Sequence, residues 1–241
     1  MLLRALMIAS NPGKSLLVIA VLALAAVIPA SQSPDPAVAT KAGEWRTLKF
    51  EDGTIATLGP RTVLTYSFTA ERRSIHLVGG EALFRVKKDP HRPFVVATPV
   101  GCAKALGTIF SVSHQLRSTS VTTQEGLVAA AHLDHADPNC SWNSIRLPAG
   151  QKAVIESWTP LVARAVDTSV EHAWTTRQII FTGQTVEQAL GEFNRRNWVQ
   201  LDMPGDSEIL QMRMFGSFPL DDPERFSRYL EKQLRWRRQR Q

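Results

Sequence analysis

The sequence predicts a mainly β fold followed by a smaller α+β module, and three observations support that prediction. From residue 42 to residue 158, short apolar or alternating runs recur with turn residues between them, as in an all-β domain. No convincing helical period occurs in that range, which excludes a doubly wound nucleotide-binding sheet. Beyond residue 178, strand-like runs alternate with amphipathic helical runs. We therefore expect an elongated sandwich-like or solenoid-like domain, then an α+β module.

The strands of the all-β domain, residues 43–158, are predicted from their apolar pattern and their flanking turns. Asp52-Gly53 separates two such runs and indicates a hairpin, because both residue types tolerate the backbone of a tight turn. Gly79-Gly80 separates two further runs in the same way. The predicted strands are 45–50, 54–58, 63–68, 74–78, 82–86, 94–97, 106–112, 120–123, 127–132 and 152–155.

After a connector at 159–177, residues 178–241 are expected to form a β-α-β-β-α module. Thr185 and Gln188 have the spacing of a capping box, and apolar residues at helical spacing follow them. Asp222-Pro223 has the N-cap and first-turn chemistry of a second helix. The three predicted strands are 178–181, 199–203 and 212–218.

The net charge of the 241-residue chain is +6, but its location argues against a nucleic-acid partner. Residues 1–14 sum to +2 and residues 228–241 to +5, so the remaining residues sum to −1. A folded basic groove is therefore not expected. The arginines at 235–240 are interpreted as a frayed terminus or an incomplete final strand rather than as a patch for anionic ligands.

The amino-terminal segment 15–34 has the length and composition of a membrane span or a signal peptide. Leu16 to Ile28 are thirteen consecutive apolar residues, and Arg4 and Lys14 precede them. This bias places the 14-residue amino-terminal stub in the cytoplasm and the chain after residue 34 outside it, with 35–42 as a linker. Residues 35–241 are expected to lie in the periplasm. We expect an uncleaved single span in the inner membrane; a cleaved signal and a soluble periplasmic product remain the alternative.

Export changes what the two cysteines can do. Cys102 and Cys140 form an even count in an oxidising compartment, where a structural disulfide is permitted. The alternative is that both are free, Cys102 as a small buried apolar residue and Cys140 in a loop.

Seven stretches of the all-β part resemble the FecR family of transmembrane sigma-factor regulators. They are 50–54, 73–77, 80–86, 92–96, 105–112, 124–128 and 147–151, with Trp174, Ile180-Phe181 and 185–193 resembling the secretin/TonB short domain (STN domain). Their residues suit a scaffold rather than catalysis, and Glu81 and Arg73 are candidates for a cross-strand surface ion pair.

The resemblance implies a signal-receiving protein that meets the signalling domain of an outer-membrane TonB-dependent receptor, often for a ferric siderophore. It also implies a cytoplasmic domain that holds an extracytoplasmic-function (ECF) sigma factor. Fourteen residues before the apolar segment are too few for such a domain. Either the gene model begins late or the protein has only the receiver, so direct binding of an ECF sigma factor is left open. Whether proteolysis relays the signal is left open.

No catalytic or cofactor motif is found, and we expect neither an enzyme nor a bound cofactor. The best metal candidate, His132 to Cys140, is interpreted as a polar turn. The partner surface is predicted on the outer face of the first module helix: Gln184, Glu187, Gln188, Asn194 and Arg195. The alternative function is an exported structural or cell-wall glycan-binding module without a signalling role.

Overall fold

The structure, a computed structural model, describes residues 37–133, 140, 144–157, 159–205 and 207–238, with side chains as far as Lys232. The described residues belong to one compact unit. Segment 15–34, the predicted span, lies outside them. Among the described residues, no helix combines the length and the apolar character that crossing a membrane requires.

Among the described residues, thirteen strands form the all-β part. The first, Ala37–Ala39, lies inside the predicted linker. The strands are β1 (Ala37–Ala39), β2 (Arg46–Lys49), β3 (Ile55–Leu58), β4 (Val63–Phe68), β5 (Arg73–Arg85), β6 (Phe94–Ala97), β7 (Gly101–Ala105), β8 (Ile109–Gln115), β9 (Ser118–Glu125), β10 (Leu127–His132), β11 (Ile145–Pro148), β12 (Gln151–Glu156) and β13 (Ala163–Ala165).

These strands make a sandwich of two layers rather than a solenoid. The first layer has the order β11-β10-β7-β6-β5-β4-β1, and the second has the order β2-β3-β5-β8-β9-β12-β13. Of the strand pairs described, β5 with β6 is parallel and the others are antiparallel. Apolar side chains from both layers fill the space between them, including Phe84, Phe94 and Phe110, whose rings are in mutual contact.

Strand β5 belongs to both layers, which corrects the prediction of two strands separated by Gly79-Gly80. Its first half pairs with β4 and β6, and its second half pairs with β3 and β8. Gly80 has φ +89, a left-handed conformation that glycine adopts without the strain of a side chain. The glycine pair therefore bends one strand between the layers instead of ending it.

Arg73, at the start of β5, is fully buried and paired with Asp52 rather than with Glu81. Its Nη1 donates to Asp52 Oδ2 at 2.8 Å and to the Lys87 carbonyl at 2.7 Å. Burial opposes ionisation of Asp52, but hydrogen bonds from Thr54 and Arg73 outweigh it and lower the pKa of that carboxyl. The predicted Arg73–Glu81 surface pair is wrong, because β5 places the two side chains in different layers.

The described part of the carboxy-terminal module has two strands and a core of its own. Its elements are β14 (Gln178–Thr185), α2 (Val186–Arg196), α3 (Ser207–Leu210), β15 (Arg213–Pro219) and α4 (Pro223–Arg238), preceded by α1 (Thr168–Glu171) and a 3-10 helix (Ala173–Thr176). The predicted capping box is present, since Thr185 Oγ1 accepts from Gln188 N and Gln188 Oε1 accepts from Thr185 N. Residues 235–238 continue α4 and do not start a strand.

The predicted strand at 199–203 is not formed. Asn194 accepts from Leu201 N with its Oδ1 and donates to Leu201 O with its Nδ2, both at 2.8 Å. Gln200 Nε2 donates to the carbonyls of Asn194 and Asn197, which caps the end of α2. The backbone of Leu201, at the centre of the segment, is thus held by α2. The β-α-β-β-α order is replaced by β-α-α-β-α.

Cys102 and Cys140 form a disulfide, with their Cα atoms 5.9 Å apart. Both are 3% exposed and pack with Val95 and Ala131 in a small apolar cluster outside the main core. The bridge fastens residue 140 to β7, on the first layer of the sandwich. The alternative of two free cysteines is therefore wrong.

Candidate partner-binding cleft

The carboxy-terminal module packs on the outer face of the second sandwich layer. Leu83 of β5 points out of the sandwich and joins the module's core with Trp174, Ile179 and Phe193. Trp45 Nε1 donates to the Trp174 carbonyl at 3.1 Å, which ties the start of the sandwich to the 3-10 helix. Burial of these apolar side chains is what holds the module on the sandwich.

A buried ion pair connects the two parts beside this apolar contact. Arg196, at the end of α2, donates from Nε and Nη2 to the two carboxylate oxygens of Glu81 at 2.8 and 2.9 Å. Side-chain exposure is 10% for Arg196 and 4% for Glu81. Such a two-pronged geometry satisfies both oxygens of the carboxylate, as a buried charge requires.

Two further charges extend the pair toward solvent. Glu192 accepts from Arg196 Nη1 and, at 2.8 Å, from Arg195 Nη2. Burial by itself would raise the pKa of Glu192, but the two arginines outweigh it and lower the pKa to about 2. Glu81 and Glu192 also raise the pKa of Arg196, although its burial acts in the opposite direction. Glu192 and Arg196 are therefore charged at neutral pH, in a cluster of two acidic and two basic side chains.

A histidine makes a second polar link between the module and the sandwich. His172 Nε2 lies 2.9 Å from Ser111 Oγ, and both side chains are buried. Burial lowers the pKa of His172, and the neighbouring Glu171 raises it by less. His172 is thus neutral at neutral pH, which is the form that a buried imidazole favours.

Between the module and the sandwich lies an open cleft of about 560 Å³. The sandwich side is a row of small polar side chains on β8 and β9: Ser111, Ser113, Gln115, Ser120 and Thr122. The module side consists of β14 from Gln178 to Phe181 and the face of α2 that carries Gln188, Gly191 and Glu192. Lys152 and Glu171 pair at 2.8 Å across one wall. Hydroxyl and amide groups on the sandwich side thus face apolar side chains of β14 such as Ile180, and the charged residues of the cleft are paired.

The five predicted partner-contact residues occupy different environments. Glu187 and Gln188 are exposed on α2, and Gln184 is half-buried at the end of β14; of these three, Gln184 and Gln188 line the cleft. Asn194 is engaged with Leu201, and Arg195 is paired with Glu192. The structure therefore places Gln184, Gln188 and Arg195 in the lining of the cleft and leaves Glu187 exposed outside it. Asn194 and Arg195 both have structural partners.

Sequence reasoning missed the residues that join the two parts. Glu81 lies in one of the family-like stretches, but its partner Arg196 is 115 residues away, and no local pattern connects them. His172 lies in the segment predicted as a connector. A polar residue at an otherwise apolar position could have flagged Glu81, because a buried carboxylate needs a cation nearby.

The metal candidate His132 to Cys140 falls partly outside the described residues, since 134–139 are not among them. Cys140 is in the disulfide, so its sulfur is not a thiolate ligand, and His132 Nε2 lies 2.9 Å from the Thr159 carbonyl. Within the described part of the chain, no group of three or more His, Cys, Asp or Glu side chains is placed to hold a metal ion.

Comparison with known proteins points to one family. Residues 37–129 match the family model described as "FecR protein". Two solved structures of a "putative anti-sigma factor" from Parabacteroides distasonis share the fold, with TM-scores of 0.62 and 0.64 and 20% sequence identity in each case. The matches cover 77% and 80% of this chain, and 85% and 90% of the neighbours. No curated protein matches the chain.

Proposed function

Since residues 37–129 are a domain of the FecR family, we propose that the chain regulates a sigma factor in response to a signal received outside the cytoplasm. The observation that supports this most is the joint arrangement of a FecR sandwich and a module docked on it with an open cleft between them. The fold similarity to proteins described as putative anti-sigma factors, over more than three quarters of the chain, agrees with it.

In this proposal the chain is a receiver that works by protein–protein contact and not as an enzyme. The partner is the signalling domain of an outer-membrane TonB-dependent receptor, in the setting of iron–siderophore uptake, and the signal passes toward an ECF sigma factor. Segment 15–34 is the single span, and residues 35–241 are periplasmic. The Cys102–Cys140 disulfide supports that location, because structural disulfides persist in oxidising compartments.

The contact surface that we propose is the part of the predicted face that remains accessible: Gln184, Glu187 and Gln188. Glu187 is exposed at the first turn of α2, where an acidic side chain suits the helix dipole and is free to meet a cation on a partner. Gln184 and Gln188 continue this face into the cleft. The contact is thus expected to be polar at its rim, as is usual for transient interfaces.

Binding measurements with the full-length chain test this function. The chain, in detergent, is titrated by biolayer interferometry against the periplasmic signalling domains of all TonB-dependent receptors encoded in the same genome. We expect one domain to bind, and Glu187→Arg to weaken that binding at least tenfold. Glu156→Arg is the matched control, because Glu156 is also exposed but lies on β12 outside the cleft. Binding to none of the domains would reject the proposal.

The alternative function, a cell-wall glycan-binding module, needs exposed aromatic side chains for sugar stacking. Among the described residues, the strongly exposed aromatic side chains are Trp198 at 75% and Phe215 at 62%, on different elements. Trp174, which does line the cleft, is 4% exposed. Co-sedimentation with purified peptidoglycan separates the two functions, since a receptor-binding regulator is expected to stay in the supernatant.

A further inference from the structure

We propose that the cleft accepts an extended, uncharged polar segment of the partner, which adds to the free edge of β14 as a third strand of the β14–β15 sheet. This inference rests on the proposed function and goes beyond it by naming how the partner binds and where. Strand addition provides affinity through main-chain hydrogen bonds, and the neighbouring walls provide selectivity.

The backbone of β14 has a free edge. Among the described residues, β15 is its one strand partner. Leu220 N donates to Arg177 O at 2.7 Å, so the hydrogen-bonded pairs of the ladder continue at every second residue, Ile179 with Phe218 and Phe181 with Gly216. The main-chain N–H and C=O groups of Gln178, Ile180 and Thr182 therefore point to the opposite edge.

The free edge ends at Thr182. Thr182 N donates to the side chain of Gln184 at 2.6 Å, and a β-bulge follows between these two residues. Arg213 Nη1 donates a hydrogen bond to the Gly183 carbonyl at 2.8 Å. The edge available for pairing is thus Gln178 to Thr182, about 16 Å of strand at about 3.3 Å per residue.

This edge faces the cleft. Four consecutive β14 residues, 178–181, line it, whereas a strand that met the cleft with one face would contribute alternate residues only. Ser113, Ser120 and Thr122 stand on the opposite wall. A strand inserted between the two would direct its main-chain groups at β14 and short polar side chains at the hydroxyl row.

The charges of the cleft indicate an uncharged occupant. Glu192 is paired with Arg195 and Arg196, Glu81 with Arg196, and Glu171 with Lys152. A charged side chain in the inserted segment would be desolvated without a free partner of opposite sign. Residues such as Ser, Thr, Asn, Gln and Gly fit a wall of hydroxyl and amide groups.

Within the part of the chain that the structure describes, no segment other than β15 pairs with β14. The segment that the sequence pattern favours as a strand, 199–203, is held in a loop by the two hydrogen bonds between Asn194 and Leu201. The edge of β14 is therefore open to pairing with another protein. Because this unpaired edge lies inside a cleft, it is shielded from unspecific strand pairing.

Ile180→Pro in the full-length chain tests the edge directly. Proline removes the Ile180 N–H, which is on the free side of β14, and so leaves the ladder with β15 intact. Ile180→Val keeps the N–H and serves as the matched control. With the receptor signalling domain that binds the wild type, we expect at least a tenfold weaker affinity for Ile180→Pro and less than a twofold change for Ile180→Val.

A second pair of variants covers the case in which Ile180→Pro does not fold. Ser120→Trp fills the cleft from the sandwich side, and Val63→Trp places the same bulk on an exposed position of the other layer. We expect the first to abolish binding and the second to leave it unchanged. Hydrogen exchange should also show slower exchange at Ile180 in the complex.

The outcomes separate this inference from the function on which it rests. Wild-type binding that survives Ile180→Pro and Ser120→Trp, with unchanged exchange at Ile180, overturns strand addition and leaves the receiver function standing. Loss of binding in both variants, with both controls active, supports strand addition. A wild-type chain that binds no receptor signalling domain overturns both.

Discussion

Glu81 of the sandwich and Arg196 of the carboxy-terminal module form a buried two-pronged ion pair across 115 residues of sequence. The pair lies beside the apolar contact of Leu83 with the module core, so the module is held by apolar burial and oriented by charge. An apolar contact allows many orientations, whereas a two-pronged arginine–carboxylate contact allows few.

Removing the carboxylate should be strongly destabilising. In Glu81→Gln, Arg196 keeps Glu192 but loses both bonds to a buried anion, and breaking a buried pair typically costs about 3 kcal/mol of the free energy of unfolding. Urea unfolding followed by tryptophan fluorescence measures this. Glu187→Gln, an exposed glutamate on the same helix, should change stability by less than about 0.5 kcal/mol. Equal effects of the two changes would contradict a structural role for Glu81.

The double variant Glu81→Leu with Arg196→Met should recover part of the stability that Glu81→Leu alone loses. Replacing both charges removes the desolvation cost together with the attraction, and buried ion pairs replaced by apolar residues are often no less stable. We therefore expect the double variant to be more stable than Glu81→Leu alone in the same urea experiment. The receptor affinity should remain reduced, because the module has lost its oriented contact.

Stability should fall as the pH decreases below 6.5 because of His172. Burial lowers the pKa of His172 in the folded protein from 6.5, so the unfolded chain takes up its proton first. The contribution of His172 to the free energy of unfolding is complete above pH 6.5. It is lost as the pH falls from 6.5 toward the lowered pKa of the folded protein. Melting temperatures between pH 8 and pH 5 measure how steeply stability depends on pH. His172→Gln should make this dependence weaker. A residual slope is expected from His114, whose pKa burial also lowers.

Two adjacent glycines should respond very differently to alanine. A Cβ at Gly80 would lie 2.4 Å from Thr62 Cα, at a residue whose φ is +89, whereas a Cβ at Gly79 meets nothing within 4 Å. Gly80→Ala is expected to lower the free energy of unfolding by about 3 kcal/mol, and Gly79→Ala by about 0.5 kcal/mol or less. Thermal unfolding of the two variants makes the comparison, and similar melting temperatures would refute the bend at Gly80.

The disulfide should contribute about 4 kcal/mol to the free energy of unfolding. It closes a sequence separation of 38 residues, for which the chain-entropy estimate is about that size. The variant with both cysteines changed to alanine should unfold at correspondingly lower urea concentration. Dithiothreitol should destabilise the wild type and leave this variant unaffected; a wild type insensitive to the reductant would show that the bridge carries no stability.

Sequence reasoning succeeded where the determinants are local. The Asp52-Gly53 turn, the Thr185–Gln188 capping box and the Asp222 N-cap all depend on residues within four positions of one another, and all three are present. Alternating patterns located most strands of the sandwich. They could not decide between sandwich and solenoid, because alternation indicates which face is buried and not which strand is its neighbour.

The candidate cleft could be predicted only in part, for the same reason. Its α2 side was predicted through Gln184 and Gln188. Its sandwich side was not predicted, because it becomes a wall of the cleft only when the module docks, and docking depends on contacts between residues far apart in the sequence. The strand predicted at 199–203 failed because one side chain, Asn194, competes for the backbone groups of Leu201. Side-chain competition of this kind leaves no periodic signal.

The shared strand β5 makes the chain far less tolerant of insertions and deletions than of substitutions between Arg73 and Glu81. Arg73 reaches Asp52 from the first layer and Glu81 reaches Arg196 from the second, eight positions further along the same strand. A single residue added or lost between them would turn one of the two side chains to the wrong face. Relatives that keep both ion pairs should therefore conserve the length of this segment even where its residues differ.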